Sequence, residues 1–110
     1  MTTMSQSELD RAVAAHEAFI NRRNGGQRLI LRFVTLDGLN LSGRDLREAD
    51  LSACNLVGCQ LVGARLDHAN LFGSDLTGAD LSKASLVRAD LRGVLLRGAN
   101  LSLADLTEAD

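Results

Sequence analysis

The stretch ADLSKASLVRADLRG, residues 79–93, places a leucine at every fifth position, and this spacing runs without a break from Leu31 to Leu106. An α-helix would scatter residues spaced by five around its surface, because each residue advances by about 100°. A flat strand alternates its side chains with period two, so every second leucine would point to the wrong face. The spacing therefore predicts a backbone that turns a corner every five residues and coils around a leucine-filled axis.

The positions around each central leucine, which we call position i, carry a pattern of their own. Position i−2 is nearly always small, position i−1 is mainly Asp or Asn, and position i+2 is glycine in eight units. Such glycines mark corners, because a residue without a Cβ adopts a positive φ at little energetic cost. We expect positions i and i−2 to face inwards. The predicted structural core is Leu46, Leu51, Leu56, Leu61, Leu66, Leu71, Leu76, Leu81, Leu86 and Leu91.

The units ADLSK (79–83), ADLRG (89–93), ANLSL (99–103) and ADLTE (104–108) resemble the A(D/N)LxX unit of the pentapeptide-repeat family. The resemblance covers about residues 29–110. It implies an all-β solenoid, a right-handed quadrilateral β-helix of about four coils with four units in each coil. Residues twenty apart would then stack about 4.8 Å apart along the axis. The family is defined by its architecture, so the resemblance implies no single activity.

Residues 1–26 are predicted to form an N-terminal amphipathic capping helix and a Gly-Gly link, and residues 27–110 the β-helix. The helix is predicted over residues 5–23, because Ser5 and Glu8 have the spacing of a capping box, an apolar stripe that includes His16 runs from Leu9 to Ile20, and Asn24-Gly25-Gly26 stops the helix. A solenoid exposes apolar surface and unpaired strand edges at its ends, so this helix is best interpreted as a cap. A helix that binds a partner is the alternative.

Composition favours one compact domain. Hydrophobic residues make up 45% of the chain, aromatic residues only 3%, and the formal net charge is −2. No stretch approaches the roughly 18 apolar residues that cross a membrane, and the N-terminus lacks the basic and apolar regions of a signal peptide. A cytoplasmic location, with no membrane and no nucleic-acid partner, is the expectation.

Residues that could carry chemistry are few. His16 and His68 lack any metal-binding spacing, and Cys54 and Cys59 occupy consecutive i−2 positions, so buried structural thiols are expected in preference to redox groups. The Asp residues, among them a column of Asp50, Asn70, Asp90 and Asp110, are expected to point outwards. A narrow rod filled by leucine leaves no pocket, so no enzyme, catalytic residue, cofactor or metal site is predicted.

Two classes of binding protein remain. The favoured one is a structural or protein-interaction module, either part of a longer protein or an end-to-end dimer formed through an uncapped C-terminal coil. The alternative is a DNA mimic that binds DNA gyrase or another topoisomerase. Residues 29–110 carry eleven acidic and eight basic residues, a difference of only −3, which argues against a dense acidic surface. Ice binding would require threonine columns that are absent.

The candidate interface lies around the last coil. Single exposed apolar residues need no explanation, but a patch of them would mark an interface. Three arginines could bind an anion or an acidic partner, although local pairing with carboxylates is the alternative. The candidates are Phe72, Leu95, Leu103, Arg88, Arg92 and Arg97. Arg44, which replaces a small residue at an inward position, departs from the family pattern and is expected to reach outwards past the first coil.

Overall fold

The computed structural model describes residues 1–110 and shows a right-handed quadrilateral β-helix with a helix at its N-terminal end. Strand β1 spans Thr2–Thr3, helix α1 spans Gln6–Ile20, and strand β2 spans Val34–Thr35. All later sheet contacts are single parallel bridges between residues twenty apart, such as Asn40 with Gln60. Each side of a coil has only five residues, and most of them build the corner. Only one residue per side is therefore left to bridge to the next coil.

The β-helix has four sides, which we number by their central leucines. Side 1 contains Leu31, Leu51, Leu71 and Leu91; side 2 contains Leu36, Leu56, Leu76 and Leu96; side 3 contains Leu41, Leu61, Leu81 and Leu101; side 4 contains Leu46, Leu66, Leu86 and Leu106.

The interior is a stack of leucines separated by small side chains. Every central leucine from Leu36 to Leu86 is at most 1% exposed, and the Ala, Cys and Ser residues at i−2 between Ala49 and Ala89 are at most 2% exposed. Leu91 is only partly buried, although it was predicted in the core, because no further coil stacks on its C-terminal side. Complete burial of a leucine therefore requires a cover on both sides of it, either another coil or, at the first coil, α1.

The corner at i+2 has the same backbone conformation whether or not it is glycine. All sixteen i+2 residues have a positive φ, and eight of them are Phe33, Glu48, Ala53, His68, Lys83, Arg88, Leu103 and Glu108. The Ala84 N–H donates to the Leu81 carbonyl at 3.0 Å across one such corner, the hydrogen bond and φ pattern of a type II turn. The need to turn a corner every five residues therefore determines this conformation, and glycine only lowers its energetic cost.

Helix α1 lies over the open end of the first coil. Ser5 is its N-cap and forms a capping box with Glu8, while Leu9, Val13 and His16 are buried beneath it. The helix ends at Ile20, earlier than the predicted residue 23, because the backbone of Arg22 has a φ of 55°. Strand β1, which the sequence pattern did not predict, pairs in parallel with β2 on side 2.

Candidate protein-binding surfaces

Polar side chains of α1 take the place of a preceding coil at the N-terminal end. The Gln6 side-chain amide donates to the Asn40 carbonyl at 2.9 Å and accepts from the Asn40 N–H at 2.7 Å. The Glu17 carboxylate accepts from the Asp45 N–H at 3.1 Å. These bonds satisfy backbone groups that a strand edge otherwise leaves unpaired. Gln6 therefore closes the edge on side 3 by bonding both backbone groups of Asn40, and Glu17 closes side 4 to a further donor-seeking strand by bonding the Asp45 N–H.

His16 is a structural link between α1 and the first coil. Its side chain is fully buried, its Nδ1 accepts from the Leu29 N–H at 2.9 Å, and its Nε2 lies 2.8 Å from the Arg47 carbonyl oxygen. Because Nδ1 accepts, Nε2 must carry the proton and donate to that carbonyl, which describes a neutral imidazole. Both ring nitrogens are thus used in backbone hydrogen bonds.

Arg44 also serves the junction with α1. Its guanidinium donates to both Glu17 carboxylate oxygens, at 2.7 and 3.1 Å, and lies 3.6 Å from Asp10. The hydrogen bond from Arg44 is the main reason that the pKa of Glu17 is held below its usual range. A small residue at this inward position could not reach α1, so the departure from the repeat pattern has a local structural cause.

The Asp and Asn residues at i−1 stabilise the backbone of their own corner. Asp80 Oδ1 accepts from the Ser82 N–H at 3.0 Å, and Asn100 Oδ1 accepts from the Ser102 N–H at 2.9 Å. The same bond is made by Asn40, Asp45, Asp50, Asn55, Asn70, Asp75, Asp90 and Asp105. These Asp and Asn side chains are therefore engaged in turns, a role that we did not predict from the sequence.

Hydrogen bonds and ion pairs also occupy carboxylates that a partner could otherwise contact. Hydrogen bonds from the Thr77 side chain and backbone hold the pKa of Asp75 below its usual range, and Thr107 does the same for Asp105. Asp50, which was predicted to point into solvent, is only 3% exposed because Arg32 covers it with a 2.8 Å ion pair. Its column therefore does not form a continuous acidic face.

The two cysteines lie in the interior. Cys54 Sγ donates to the Leu31 carbonyl at 2.8 Å and Cys59 Sγ to the Leu36 carbonyl at 2.9 Å. Burial raises the pKa of Cys54, and it raises the pKa of Cys59 to about 11. Both sulfurs are consequently protonated thiols at neutral pH, and a thiol is a poor nucleophile compared with a thiolate.

The structure contains no group of three or more His, Cys, Asp or Glu side chains placed to hold a metal ion. His68 lies on side 4 beside a shallow depression that it shares with Arg28 and Glu48. Helix α1 is neither long enough nor apolar enough to cross a membrane.

The six candidate interface residues encircle the C-terminal part of the β-helix instead of sharing one side. On side 1, the Arg92 guanidinium lies 5.3 Å from the centre of the Phe72 ring and pairs with Asp90 at 2.8 Å. On side 4, Arg88 pairs with Glu108 at 2.7 Å. Two of the three arginines thus have local carboxylate partners.

The remaining candidates lie on the other two sides. Leu95 is 57% exposed on side 2, where it borders a shallow depression with Arg97, and Leu103 is 82% exposed on side 3. Arg97 forms no ion pair. The six candidates therefore place apolar groups on three sides, and Arg97 is the one cation among them that has no carboxylate partner.

Comparison with known proteins identifies the family to which these repeats correspond. A sequence profile described as "Pentapeptide repeats" matches eight copies over residues 31–59, 45–82 and 84–110. A search of curated protein sequences gives no significant match.

Solved structures give related matches. A pentapeptide repeat protein from the Arabidopsis thaliana thylakoid lumen is 39% identical, with a TM-score of 0.67, over 68% of this chain and 52% of that one. Rfr23 from the cyanobacterium Cyanothece 51142 is 34% identical, with a TM-score of 0.50, over 73% of this chain and 58% of that one. The chain spans little more than half the length of these two proteins. It belongs to the pentapeptide-repeat family.

Proposed function

We propose that the protein is a non-enzymatic protein-interaction module that binds through its C-terminal coil, and that a second copy of the chain is one partner. The single observation that carries this proposal is Leu103. It combines 82% exposure with a φ of 60°, a backbone conformation that disfavours every residue with a Cβ. The closure imposes this φ on every corner, but a large apolar residue that is exposed at a corner where glycine is favoured is explained when a partner covers its side chain.

The neighbourhood of Leu103 supports the same interpretation. Leu95 is 57% exposed on the adjacent side, and Arg97 beside it forms no ion pair. Exposed apolar residues that lie together mark an interaction surface. An isologous contact between two such surfaces buries the apolar groups of both copies and closes the assembly.

A topoisomerase is the less favoured partner. Mimicry of duplex DNA requires carboxylates that are free to replace phosphates. Here the i−1 carboxylates already accept backbone hydrogen bonds, and arginines cover Asp50 and Asp90.

The test measures molecular mass by size-exclusion chromatography with light scattering across a wide concentration range. The double variant Leu95→Asp with Leu103→Lys introduces the residue types found at the equivalent positions of the preceding coil, Asp75 and Lys83, so the fold tolerates both. We expect the wild type to dimerise and the double variant to be a monomer. Ser82→Asp, which changes charge one coil away from the surface, should dimerise like the wild type.

A wild type that is monomeric at the highest concentration, or a double variant that still dimerises, would refute self-association. Parallel capture on immobilised gyrase separates the two classes of partner. Specific gyrase binding that survives the double substitution would overturn the proposed surface as well.

A further inference from the structure

The N-terminal end of the β-helix is closed on three sides and open on the fourth. On side 2 strand β1 pairs with β2 and the Met4 N–H donates to the Thr35 carbonyl at 3.2 Å, while Gln6 and Glu17 close sides 3 and 4. On side 1 the edge residue is Ile30. Its N–H and C=O make no hydrogen bond, and its side chain is 52% exposed.

The open edge borders an apolar groove. The groove has a volume of about 210 Å³, and Ala12 and Ala15 of α1 and residues 27–31 line it. Phe33, on the same side of the β-helix, is 64% exposed. The edge therefore offers a backbone donor and acceptor beside a recess that can hold an aliphatic side chain.

Charge at the groove is positive. Arg28 lines it and uses only its Nε, which donates to the Glu48 carbonyl at 2.7 Å, and Arg28 forms no ion pair. An acidic side chain next to a bound strand would supply the missing partner.

We propose that the Ile30 edge and its groove form a second binding site, which takes an extended peptide segment of a partner protein. The segment pairs its backbone with Ile30, places an aliphatic side chain between Ala12 and Ala15, and carries an acidic residue towards Arg28. The chain itself shows this mode on the adjacent side, where β1 adds as a parallel strand to the same end of the β-helix. Strand addition of this kind draws affinity from the backbone and specificity from the pocket. The site is independent of the C-terminal surface proposed above.

The probe is the synthetic peptide acetyl-Glu-Val-Thr-Val-Thr-amide, titrated into the full 110-residue chain labelled with ¹⁵N. We expect saturable binding below about 1 mM, with the largest shift and a new protection from hydrogen exchange at the Ile30 amide. The same peptide with a methylated nitrogen at the central threonine tests backbone pairing, and replacement of its glutamate by lysine tests the Arg28 contact. Both should bind at least several-fold more weakly.

Two matched variants test the groove. Ala12→Leu fills it, whereas Ala14→Leu makes the same change at an exposed position of α1 that does not line it. We expect Ala12→Leu to weaken binding at least tenfold and Ala14→Leu to leave it unchanged. Ile30→Pro, which removes the unused N–H and replaces the Ile side chain, should also abolish binding; thermal melts establish that each variant is folded.

Three results would refute the proposed site. They are no change at the Ile30 amide up to about 1 mM peptide, equal affinity of the Ala12→Leu variant and the wild type for the peptide, and equal affinity of the wild type for the methylated and the unmethylated peptide. If Ile30→Pro does not fold, the comparison of Ala12→Leu with Ala14→Leu decides the question alone.

Discussion

A reciprocal exchange between Gly63 and Lys83 measures how the positive φ at an i+2 corner affects the free energy of unfolding. The two residues occupy i+2 of side 3 in adjacent coils, with φ of 66° and 61°. Their N–H groups make equivalent bonds, to the Ser82 carbonyl at 2.9 Å and to the Ser102 carbonyl at 2.8 Å. A Cβ added at Gly63 would meet nothing within 4 Å, and the Lys83 side chain is exposed and forms no ion pair. The exchange therefore changes the backbone preference and little else.

The expected magnitude follows from two opposing effects. A residue with a Cβ in the left-handed region is disfavoured by about 1–2 kcal/mol. Glycine loses about 0.5–1 kcal/mol more conformational entropy on folding. Lys83→Gly should therefore raise the free energy of unfolding by about 1 kcal/mol, and Gly63→Lys should lower it by about 1 kcal/mol.

Urea denaturation followed by circular dichroism measures both changes. With a slope of about 2 kcal/mol per M, each single variant should move the midpoint by about 0.5 M, in opposite directions. The double variant has the wild-type composition and should unfold near the wild-type midpoint. If both single variants shift the midpoint in the same direction, the positive φ does not govern stability at these corners, and the reasoning about Leu103 fails with it.

Three further predictions address the core, the thiols and acid stability. Leu66→Ala should lower the free energy of unfolding by about 3 kcal/mol in chemical denaturation, because Leu66 is fully buried, whereas the outward change Ser82→Asp should be nearly neutral. Cys59 should resist a thiol reagent at pH 8 and react only as the chain unfolds, since its pKa is about 11; rapid reaction in the native state would contradict its burial. The pKa values of Asp75 and Asp105 are depressed in the folded chain, so the stability that these carboxylates supply is complete above the ordinary carboxyl pKa of about 4 and is lost as pH falls through the lower folded values. Thermal melts from pH 6 to pH 2 should show this loss, and it should shrink in a variant that carries Asp75→Asn.

The leucine spacing was sufficient to predict the coil, because a five-residue period is compatible with neither a helix nor a flat strand. The inward position of the small residues followed from the same period, and Cys54 and Cys59 lie inside as expected. The partial exposure of Leu91 was missed, since a repeat pattern treats every unit alike while burial depends on whether a coil or α1 covers each end of the stack. Local periodicity therefore predicts orientation better than it predicts burial at the last coil.

The features that were not predicted depend on pairs of residues distant in the sequence. Gln6 pairs with Asn40, and His16 joins Leu29 to Arg47, across separations that no local motif reveals. Strand β1 has only two residues, Thr2–Thr3, too few to show any periodicity. The role of the i−1 Asp and Asn residues could have been predicted, because such side chains commonly accept a hydrogen bond from the N–H two residues further on and so form an Asx-turn. The regular Asp and Asn at i−1 were the available signal.

The regular middle of the β-helix explains why we place the proposed binding surfaces towards its ends. Along the middle of the β-helix each coil donates to and accepts from its neighbours, the interior is filled by leucine, and the i−1 carboxylates are occupied by turns. A side surface of this kind offers a partner only the ends of its outward side chains. At the N-terminal end, by contrast, a backbone donor and acceptor, apolar surface and an unpaired arginine occur together, at Ile30 with Arg28. The five-residue closure leaves no space for a pocket in the middle, which is why the peptide site that we propose lies on the one side of the N-terminal end that α1 and β1 leave accessible.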